Sequence, residues 1–547
     1  MDQQKINEQN PEAEEAIRRW DELRQAGNRI QWEQDAEDIA RLIRPQRGGF
    51  GLSNTANRKM EKPLSSEPVL AQSSFAAGIY SGITNPANRW VFLETGDEDL
   101  NSWQPMAEWN DLVTRRVLGS FAPAISSFYS ATYQAYSDIA AFGNAAGYDE
   151  VDRVERRFTD VTVSLANVVV DIDAHGRVVE VVYRFVLKAR AAVSLFKNDS
   201  LPDRVYDAAD KGKTDEFTFF RHIKRNEVYT KGSLGPRGKR WLSITACETK
   251  KHLVRRQGYD DMPFYFPRWD VESGHTMGTG PGFIALASAR THQLMDAATI
   301  RGAQYDADPT TLAPDRETWP LNGRIAPGQV VYGGMDQIGR RLVSRLERNG
   351  SMQLTESEKA QKLEAVKNAF HYAIMSLQGR TGVTDEETRI MDEARLRNWA
   401  PHADRIMEEY AARKVERRFG MLWTAGQLPP PPEGAPPGTP MRIRYQSAAQ
   451  AAMRAREGQE VRGFLADITP LIELNPRYAD RISHDDLIET LHDARPSLPA
   501  SILTSRETAD QAAQERAQRQ QAADALAAGE QGAGIVRDLS QAGALQQ

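Results

Sequence analysis

The stretch VVVDIDAHGRVVEVVYRFV, residues 168–186, marks the point at which the hydrophobic pattern of this chain changes. Apolar residues dominate two runs, Val168–Ile172 and Val178–Val186, in the manner of strands in a sheet. Between the runs, Asp173-Ala174-His175-Gly176 has the composition of a tight turn. The stretch therefore predicts an antiparallel hairpin. Further strand-like pieces on either side extend this into a predicted β-rich segment over residues 155–270.

Outside this segment the apolar residues recur every three or four positions, which is the period of an α-helix. The N-terminal part is predicted to be helical over residues 12–142, with one continuous helix at Glu12–Ile43. Downstream helices are predicted over residues 282–305, 355–377 and 385–423. Pro401 should kink or split the last of these. The chain is therefore predicted to be an α+β protein in which helix predominates.

Composition excludes several classes of protein. The 547 residues can bury a large core. We expect no membrane span, because no apolar run approaches the ~18 residues that one requires, and no secretory signal, because residues 1–15 are polar and acidic. The single cysteine, Cys247, excludes a disulfide framework within one chain. The net charge of −6 argues against tight binding of nucleic acid along an open surface, but not against a protein that surrounds DNA loosely.

Two kinds of motif keep an enzymatic alternative open, a cytoplasmic hydrolase that uses paired aspartates and a glycine-rich loop. The loop is Gly278–Gly282, which precedes a predicted helix but lacks the Lys-Ser/Thr of a P-loop. The paired acids are Asp171 with Asp173 and Asp260 with Asp261, and both pairs lie at predicted turns. The simpler interpretation is a turn that leads into a helix and two solvated turns. No catalytic residue, cofactor site or metal site is assigned.

Several short motifs follow one another in a characteristic order: Gly78–Pro86, Arg89–Leu93, Phe142–Ala145, Asp173–Val178, Pro263–Trp269, Gly278–Pro281 and Arg442–Arg454. In this order and spacing they resemble the portal, or head-to-tail connector, proteins of short-tailed bacteriophages, over about residues 12–525. The chain departs from that family's pattern at Met277–Pro281, where Tyr-Gly-Arg-Gly-Pro is frequent. It departs again at Gly382–Glu387, where Thr-Ala-Thr-Glu-Val is frequent.

The resemblance implies the phage portal fold, in which each subunit has a wing, a two-helix stem, a clip and a helical crown. Subunits of that family assemble as a ring, generally of twelve copies, at one vertex of the capsid. The implied division is 1–281 for the N-terminal wing region, 282–305 for the first stem helix, 306–354 for the clip, 355–377 for the second stem helix, 378–385 for the channel loop, 386–446 for the long wing helix and linker, and 447–547 for the crown and C-terminal tail.

The implied function is structural rather than enzymatic, a ring channel for double-stranded DNA during packaging and ejection. The implied location is the head–tail junction of the virion, after assembly in the cytoplasm of the host bacterium. The implied partners are further copies of the chain, the packaging terminase, the major capsid and scaffolding proteins, tail adaptor proteins, and double-stranded DNA without sequence specificity. No cofactor and no membrane is expected. A helical virion adaptor that does not enclose DNA remains a second alternative.

Two groups of residues are expected to contact partners. In the channel loop, Gln378, Arg380, Thr381 and Thr384 are expected to project into the lumen, where weak and mixed polarity allows transient contact with DNA of any sequence. In the clip, a charged docking surface for the packaging motor and then the tail is expected from Arg340, Arg341, Arg345 and Arg348.

Overall fold

The computed structural model contains two units. The first comprises Met1–Ser81 and Pro123–Arg417, and the second comprises Gly82–Ala122 and Arg418–Gln547. The structure describes residues 10–47, 49–50, 63–87, 89–152, 155–197, 199–307, 311–312, 335–341, 344–345, 352–372, 402–436, 441–445, 448–475, 482–495, 498, 500–504 and 508–521.

Helix predominates over strand, as the α+β prediction requires. The α-helices in chain order are α1 Pro11–Gln25, α2 Arg29–Leu42, α3 Glu67–Ile83, α4 Glu98–Ser102, α5 Gln104–Gly119, α6 Phe128–Phe142, α7 Ala189–Leu195, α8 Asp203–Asp210, α9 Pro281–Ala307, α10 Met352–Ala369, α11 Arg413–Thr424, α12 Ala448–Leu474 and α13 His484–Asp493. A π-helical stretch, Met407–Ala412, joins residues 402–406 to α11.

The strands are β1 Val91–Thr95, β2 Ala146–Asp152, β3 Arg157–Val163, β4 Val168–Ile172, β5 Val178–Lys188, β6 Glu216–Arg225, β7 Trp241–Cys247, β8 His252–Tyr259, β9 Phe264–Tyr265, β10 Thr311–Leu312, β11 Ser344–Arg345 and β12 Met441–Tyr445. They form a five-stranded sheet in the order β4-β5-β6-β7-β8, a three-stranded sheet β3-β2-β9, and the pairs β1-β12 and β10-β11.

The hairpin of residues 168–186 is present and lies at the edge of the five-stranded sheet. β4 and β5 pair antiparallel, as predicted. The Asp173 carboxylate accepts hydrogen bonds from the backbone N–H groups of His175 and Arg177, at 2.9 and 2.8 Å. Gly176 has φ +75°, a left-handed conformation that glycine adopts without a steric penalty. The turn is therefore built from the local side chain and the glycine that the sequence places there.

Both faces of the five-stranded sheet are covered, because successive side chains of a strand point to opposite sides. Phe219 belongs to a cluster with Phe196 on the side of α7 and α8. Its neighbour Phe220 packs on the other side against Trp20 of α1, with ring centroids 5.9 Å apart. The sheet thus forms the middle of a sandwich, which explains why its strands are apolar at consecutive positions.

An ion cluster fastens α1 to this sheet. Arg19 donates to both carboxylate oxygens of Glu180, at 2.9 and 2.6 Å, and one of its nitrogens lies 3.1 Å from Asp171. Nε2 of the buried His222 lies 2.6 Å from Glu180. Burial alone raises the pKa of Glu180, but the hydrogen bonds from His222 and Arg19 outweigh burial and lower the pKa to about 2.

We expect Glu180→Gln to lower the melting temperature at pH 7, and the difference from wild type to shrink as the pH falls from about 4.5 to about 2. A carboxylate whose pKa is depressed in the folded state stabilises that state above its unfolded pKa and loses this effect on protonation. Thermal unfolding followed by circular dichroism between pH 7 and 2.5 tests this. Glu216→Gln, at the exposed end of β6, is the control. A constant difference at all pH values would contradict the assignment.

Three boundaries predicted from the sequence are wrong. The predicted single helix Glu12–Ile43 is two helices, separated by a short turn. At this turn the Asn28 side chain donates from Nδ2 to the carbonyl of Met277 at 2.9 Å and accepts from the Met277 N–H at Oδ1 at 3.2 Å, which interrupts the helical backbone. The predicted helical region 12–142 contains strand β1. The β-rich segment begins at Ala146 rather than 155, since β2 pairs with β3 and β9. Contacts between distant segments of the chain determine all three boundaries.

In the second unit, the beginning of the Arg442–Arg454 motif is hydrogen-bonded to the Arg89–Leu93 motif, although about 350 residues separate them. β1 contains Val91–Leu93 of one motif, and β12 contains the beginning of the other, with Val91 opposite Tyr445 and Thr95 opposite Met441. The sequence of residues 441–445 also favours a strand, which this pairing confirms. Pro470 lies inside α12 without ending it. Pro401 lies outside the described residues.

Candidate functional site

Motifs from distant parts of the chain meet at the start of α9. The Asn144 side chain bonds both backbone groups of Gly278, donating to its carbonyl at 2.8 Å and accepting from its N–H at 2.9 Å. The N–H of Trp269 donates to the carbonyl of Gly143 at 2.8 Å. Trp32 of α2 also donates, from Nε1, to the Gly278 carbonyl at 2.9 Å. The loop before α9 is therefore fastened to the end of α6 and to the strand region after β9.

The glycines of this loop allow two backbones to touch. A Cβ atom at Gly143 would lie 2.2 Å from the backbone carbon of Thr279, and one at Gly280 would lie 2.7 Å from Gly143 Cα. A Cβ atom at Gly282 would lie 2.0 Å from the Ala141 carbonyl oxygen. The loop faces protein backbone at this contact, and the N–H of Gly278 already has a partner. The glycines are thus explained by packing, and the phosphate-cradle interpretation has no support.

The paired acids have structural partners. Asp171 pairs with Arg19, and Asp173 caps its turn, as described above. Asp260 lies 2.5 Å from Lys239, and the backbone carbonyl of Asp261 accepts from Arg417 at 3.4 Å. Within the described residues, no group of three or more His, Cys, Asp or Glu side chains is placed to hold a metal ion. No helix in the same residues has the length and apolar character of a bilayer span.

One cavity lies beside the Asp173–Arg177 turn, bounded by Arg177, Phe264, Tyr265 and Glu409 among others. Its volume is about 30 Å³, which is room for one or two water molecules. A space of this size does not accommodate an organic substrate.

Buried ion pairs hold residues 402–417 against the three-stranded sheet. Glu409 pairs with Arg268 at 2.6 Å, Lys414 with Asp160 at 2.8 Å, and Arg417 with Asp149 at 2.7 Å. Charges removed from water are tolerated only when they are paired and hydrogen-bonded. Arg268 also donates to the carbonyl of Gly176, at 2.6 Å, so the β4–β5 turn joins the same network. The sequence prediction missed these pairs, because charged residues beside an apolar stripe look the same in the sequence whether they face water or a carboxylate from another element.

The π-helical stretch Met407–Ala412 lies at the centre of this contact. The extra residue in a π turn shifts the side chains that follow it, and such turns are frequent at functional positions. Here Tyr410 is fully buried, with its hydroxyl 2.8 Å from that of Thr132 and its ring 4.9 Å from the Tyr265 ring. Burial raises the pKa of Tyr410 well above its ordinary value. The ring therefore serves as a neutral core residue.

α9 and α10 pack as a pair of long helices. Asp296 of α9 is paired with Lys359 of α10 at 2.5 Å and lies 3.3 Å from His292. In the sequence of the predicted helix 355–377, an apolar stripe is formed by Leu363, Val366, Phe370, Ile374 and Leu377. The structure confirms this stripe as far as it describes it, since Val366 and Phe370 are buried and Leu363 is half-buried. The remaining members of the stripe are Ile374 and Leu377, which lie outside the described residues.

The predicted helix 355–377 differs from α10 at its end. The regular helix stops at Ala369, and His371 has φ +49°. The Phe370 ring then contacts Phe75 of α3, with centroids 6.1 Å apart. This contact lies where the regular helix α10 ends.

The clip residues predicted from the sequence are partly brought together. Arg340 and Arg341 lie on one exposed turn, closed by hydrogen bonds from Asp336 N to Arg340 O at 2.8 Å and from Gly339 N to Asp336 O at 2.9 Å. Arg345 lies on β11, paired with Thr311, and its side chain lies outside the described residues, as does all of Arg348. The structure therefore unites Arg340 with Arg341 only.

The same turn exposes two apolar residues that the sequence prediction missed, Ile338 at 81% and Met335 at 65%. No local feature of the sequence distinguishes a covered apolar residue from an exposed one in such a turn. The channel-loop residues Gln378, Arg380, Thr381 and Thr384 all lie outside the described residues.

Comparison with known proteins agrees with the arrangement of motifs. The portal protein of Salmonella phage epsilon15 is 24% identical over 522 residues, which cover 92% of this chain and 91% of that protein. The probable portal protein of Bordetella phage BPP-1 is 24% identical over 541 residues, covering 96% and 94%. A solved chain from the "Neck of empty GTA particle" covers 78% of this chain and 90% of its own length, with 11% identity and a TM-score of 0.36, too distant to carry an argument.

A family model described as bacteriophage head to tail connecting protein matches residues 13–503. The matched range includes most of both units, the motif cluster at the start of α9, and the α9–α10 pair. The chain belongs to the bacteriophage head to tail connecting protein family.

Proposed function

We propose that this chain is a portal subunit, which assembles into a ring at the head–tail junction and forms the channel for the phage genome. The match of the family model over residues 13–503 carries the proposal. Portal relatives of both short-tailed phages align over more than 90% of this chain, which supports a whole-length correspondence. Their structural role also supports a non-enzymatic function for this chain.

The surface of the long helix pair supports ring assembly. α9 has 27 residues, about 40 Å of rod, and it exposes Ile284 and Leu294, the latter at 72%. The exposed part of α10 carries charges of both signs, from Glu356, Glu358, Lys362 and Glu364. A closed ring of identical subunits needs two different, complementary faces on each subunit. The apolar residues exposed on α9 and the charged surface of α10 are two different faces, each of which could take part in a separate subunit contact.

In this proposal α9 and α10 are the two stem helices, residues 306–354 form the clip, and 378–385 form the channel loop. The turn that carries Arg340 and Arg341 docks the packaging terminase first and tail adaptor proteins later. Its exposed Ile338 adds an apolar contact to the charged one. Rings of about twelve copies, the coat and scaffolding proteins as further partners, and assembly in the host cytoplasm belong to the same proposal.

Native mass spectrometry and negative-stain electron microscopy of the purified full chain test the proposal. We expect annular particles of about twelve chains with a central hole wide enough for duplex DNA. A helical adaptor that does not enclose DNA would give particles without such a hole. A chain that remains monomeric at high concentration, and that forms no annular particle in virions, would overturn the proposal.

Deleting Gly379–Thr384 should leave rings intact and reduce the packaging or retention of DNA. The short side chains and single arginine of this loop are expected to touch DNA weakly rather than to hold subunits together. Ring formation by electron microscopy and packaged DNA per particle are the two measurements. Loss of ring assembly in the deletion variant would show that the segment is an assembly element instead.

A further inference from the structure

A buried carboxylate lies where α10 packs on α9. Asp296 is 6% exposed and is the only acid in residues 281–305. One of its oxygens accepts from Lys359 Nζ at 2.5 Å, and the other lies 3.3 Å from Nδ1 of His292. The remaining buried residues of α9 are small or apolar, namely Pro281, Gly282, Ala285, Leu286, Ala289 and Gly302. A buried carboxylate requires a cation, so Asp296 restricts which part of α10 can lie opposite it.

The same contact contains polar atoms that the observed arrangement does not use. Oδ2 of Asp296 and Nε2 of His292 are buried, and neither makes a hydrogen bond within the described residues. The His292 ring is itself only 2% exposed. Buried polar atoms without partners are uncommon in native proteins, and each one calls for an explanation. The polar groups of this contact are thus not optimised for the observed arrangement alone.

α10 carries a second lysine three residues beyond the first. Lys362 is exposed, and residues three apart on a helix are neighbours on its surface. A screw movement of α10 by three residues, about 4.5 Å along its axis, brings Lys362 to the place of Lys359. The apolar stripe repeats with the same step, so the movement also puts Val366 in the place of Leu363 and Ala369 in the place of Val366.

Other shifts of about one turn do not keep a cation opposite Asp296. A movement of three residues in the opposite direction brings Glu356 there, and two carboxylates repel each other. Movements of four residues bring Leu363 or Thr355, and either leaves the buried carboxylate without a counter-ion. The sequence of α10 therefore permits a one-turn shift in one direction only.

Contacts with α3 favour the observed register. The rings of Phe370 and Phe75 lie 6.1 Å apart, centroid to centroid, and Lys367 pairs with Glu67 at 2.9 Å. After the shift, the residue in the sequence position of Phe370 is Ala373, which is too small to replace the ring. Both contacts with α3 are lost, so the shifted register has the higher free energy.

We propose that α10 has two registers on α9, in which Asp296 pairs with Lys359 in the observed one and with Lys362 in a second, minor one. Positions between the two leave a buried charge without a partner, so the pair switches between discrete alignments rather than sliding continuously. One-turn movements of one element past another are a known form of conformational switch. This inference concerns the helix pair itself and does not depend on the proposed function.

Hydrogen exchange of the full-length chain, read by mass spectrometry at the amides of α10, tests the inference in a double-mutant cycle. Lys362→Ala alone should leave protection unchanged. Lys359→Ala should lower it modestly, because Lys362 takes over the pairing. The double variant should lose at least ~10-fold more protection than the product of the single effects, whereas repulsion between the two lysines accounts for only ~2-fold. The same cycle in an Asp296→Asn background is the control and should show no such excess.

Effects that simply multiply in the cycle would overturn the inference. So would loss of folding in Lys359→Ala, since Lys362 is there to replace the missing amine. Cryo-electron microscopy of Lys359→Ala then locates α10. We expect it to be displaced by about 4.5 Å along α9, with Lys362 Nζ at Asp296 and Phe370 no longer against Phe75. An unmoved α10 would overturn the inference, even if the Lys362 side chain reached the carboxylate.

The same micrographs separate this inference from the proposed function. Rings in which α10 does not move in Lys359→Ala would overturn the two-register inference and leave the portal function intact. A displaced α10 in particles that form no ring would support the two registers and count against the portal function.

Discussion

Replacing Lys414 by methionine will lower the free energy of unfolding by about 3–5 kcal/mol, the cost of removing one partner from a buried ion pair. The two side chains are 2% and 1% exposed, and Nζ lies 2.8 Å from the Asp160 carboxylate. Nζ also lies 4.1 Å from the centroid of the Tyr265 ring. Lys414→Met removes this ammonium group and leaves the Asp160 carboxylate, which also accepts a hydrogen bond from Ser126 at 2.9 Å, in a site closed to water.

Urea unfolding followed by far-ultraviolet circular dichroism measures this loss, with all variants at one concentration because assembly adds to apparent stability. Lys251→Met is the matched control, since it removes the same group from a pair with Glu14 that is 49% and 40% exposed. We expect that control to lose about 0–1 kcal/mol. The double variant Lys414→Met/Asp160→Asn should recover part of the loss. Equal effects of Lys414→Met and Lys251→Met would contradict the buried-pair assignment.

Gly143→Ala will loosen the start of α9 from α6 and lower stability by about 2–5 kcal/mol, the sum of a left-handed backbone penalty and overpacking. Gly143 has φ +70°, and an added Cβ would lie 2.2 Å from the backbone carbon of Thr279. That neighbour is backbone, held in place by the bonds between Asn144 and Gly278. It has no rotamer with which to move away, so α9 itself must shift.

Hydrogen exchange read by mass spectrometry reports this change locally, at the amides of Gly278 and of the first turns of α9. Gly176→Ala separates the two causes, because Gly176 has φ +75° and no atom within 4 Å of the added Cβ. That control should show only the backbone penalty, about 1–2 kcal/mol, and unchanged exchange at α9. Unchanged exchange at α9 in Gly143→Ala would show that the close contact does not anchor the helix.

Some elements could be predicted because they depend on local patterns. The Asp173–Gly176 turn, α9 and the buried stripe of α10 follow from a turn residue, a helical period and an apolar face. The candidate site was predicted less well. Arg340 and Arg341 were expected together because they are adjacent in sequence. The exposed Ile338 beside them was missed, because nothing local to an apolar residue in a turn says whether it is covered.

The ion pairs of Lys414, Arg417 and Arg268 could not have been predicted, since each joins residues more than 140 positions apart. Charges on a helix have the same sequence signature whether they face water or a carboxylate from another element. The glycine-rich loop was ambiguous for a related reason. A phosphate cradle and a close backbone contact both require glycine, and only the position of Gly143 against Thr279 distinguishes them.

By itself, the sequence determined the α+β class, the hairpin, the positions of α9 and α10 and, through the order of its motifs, the family. These properties depend on hydrophobic period and turn chemistry within short windows, so they can be read along the chain. Only the tertiary structure decided where helices stop, that β1 pairs with β12, and which charges and glycines are buried against each other. Those outcomes depend on contacts between distant segments, and the free energy of such contacts overrides local preference.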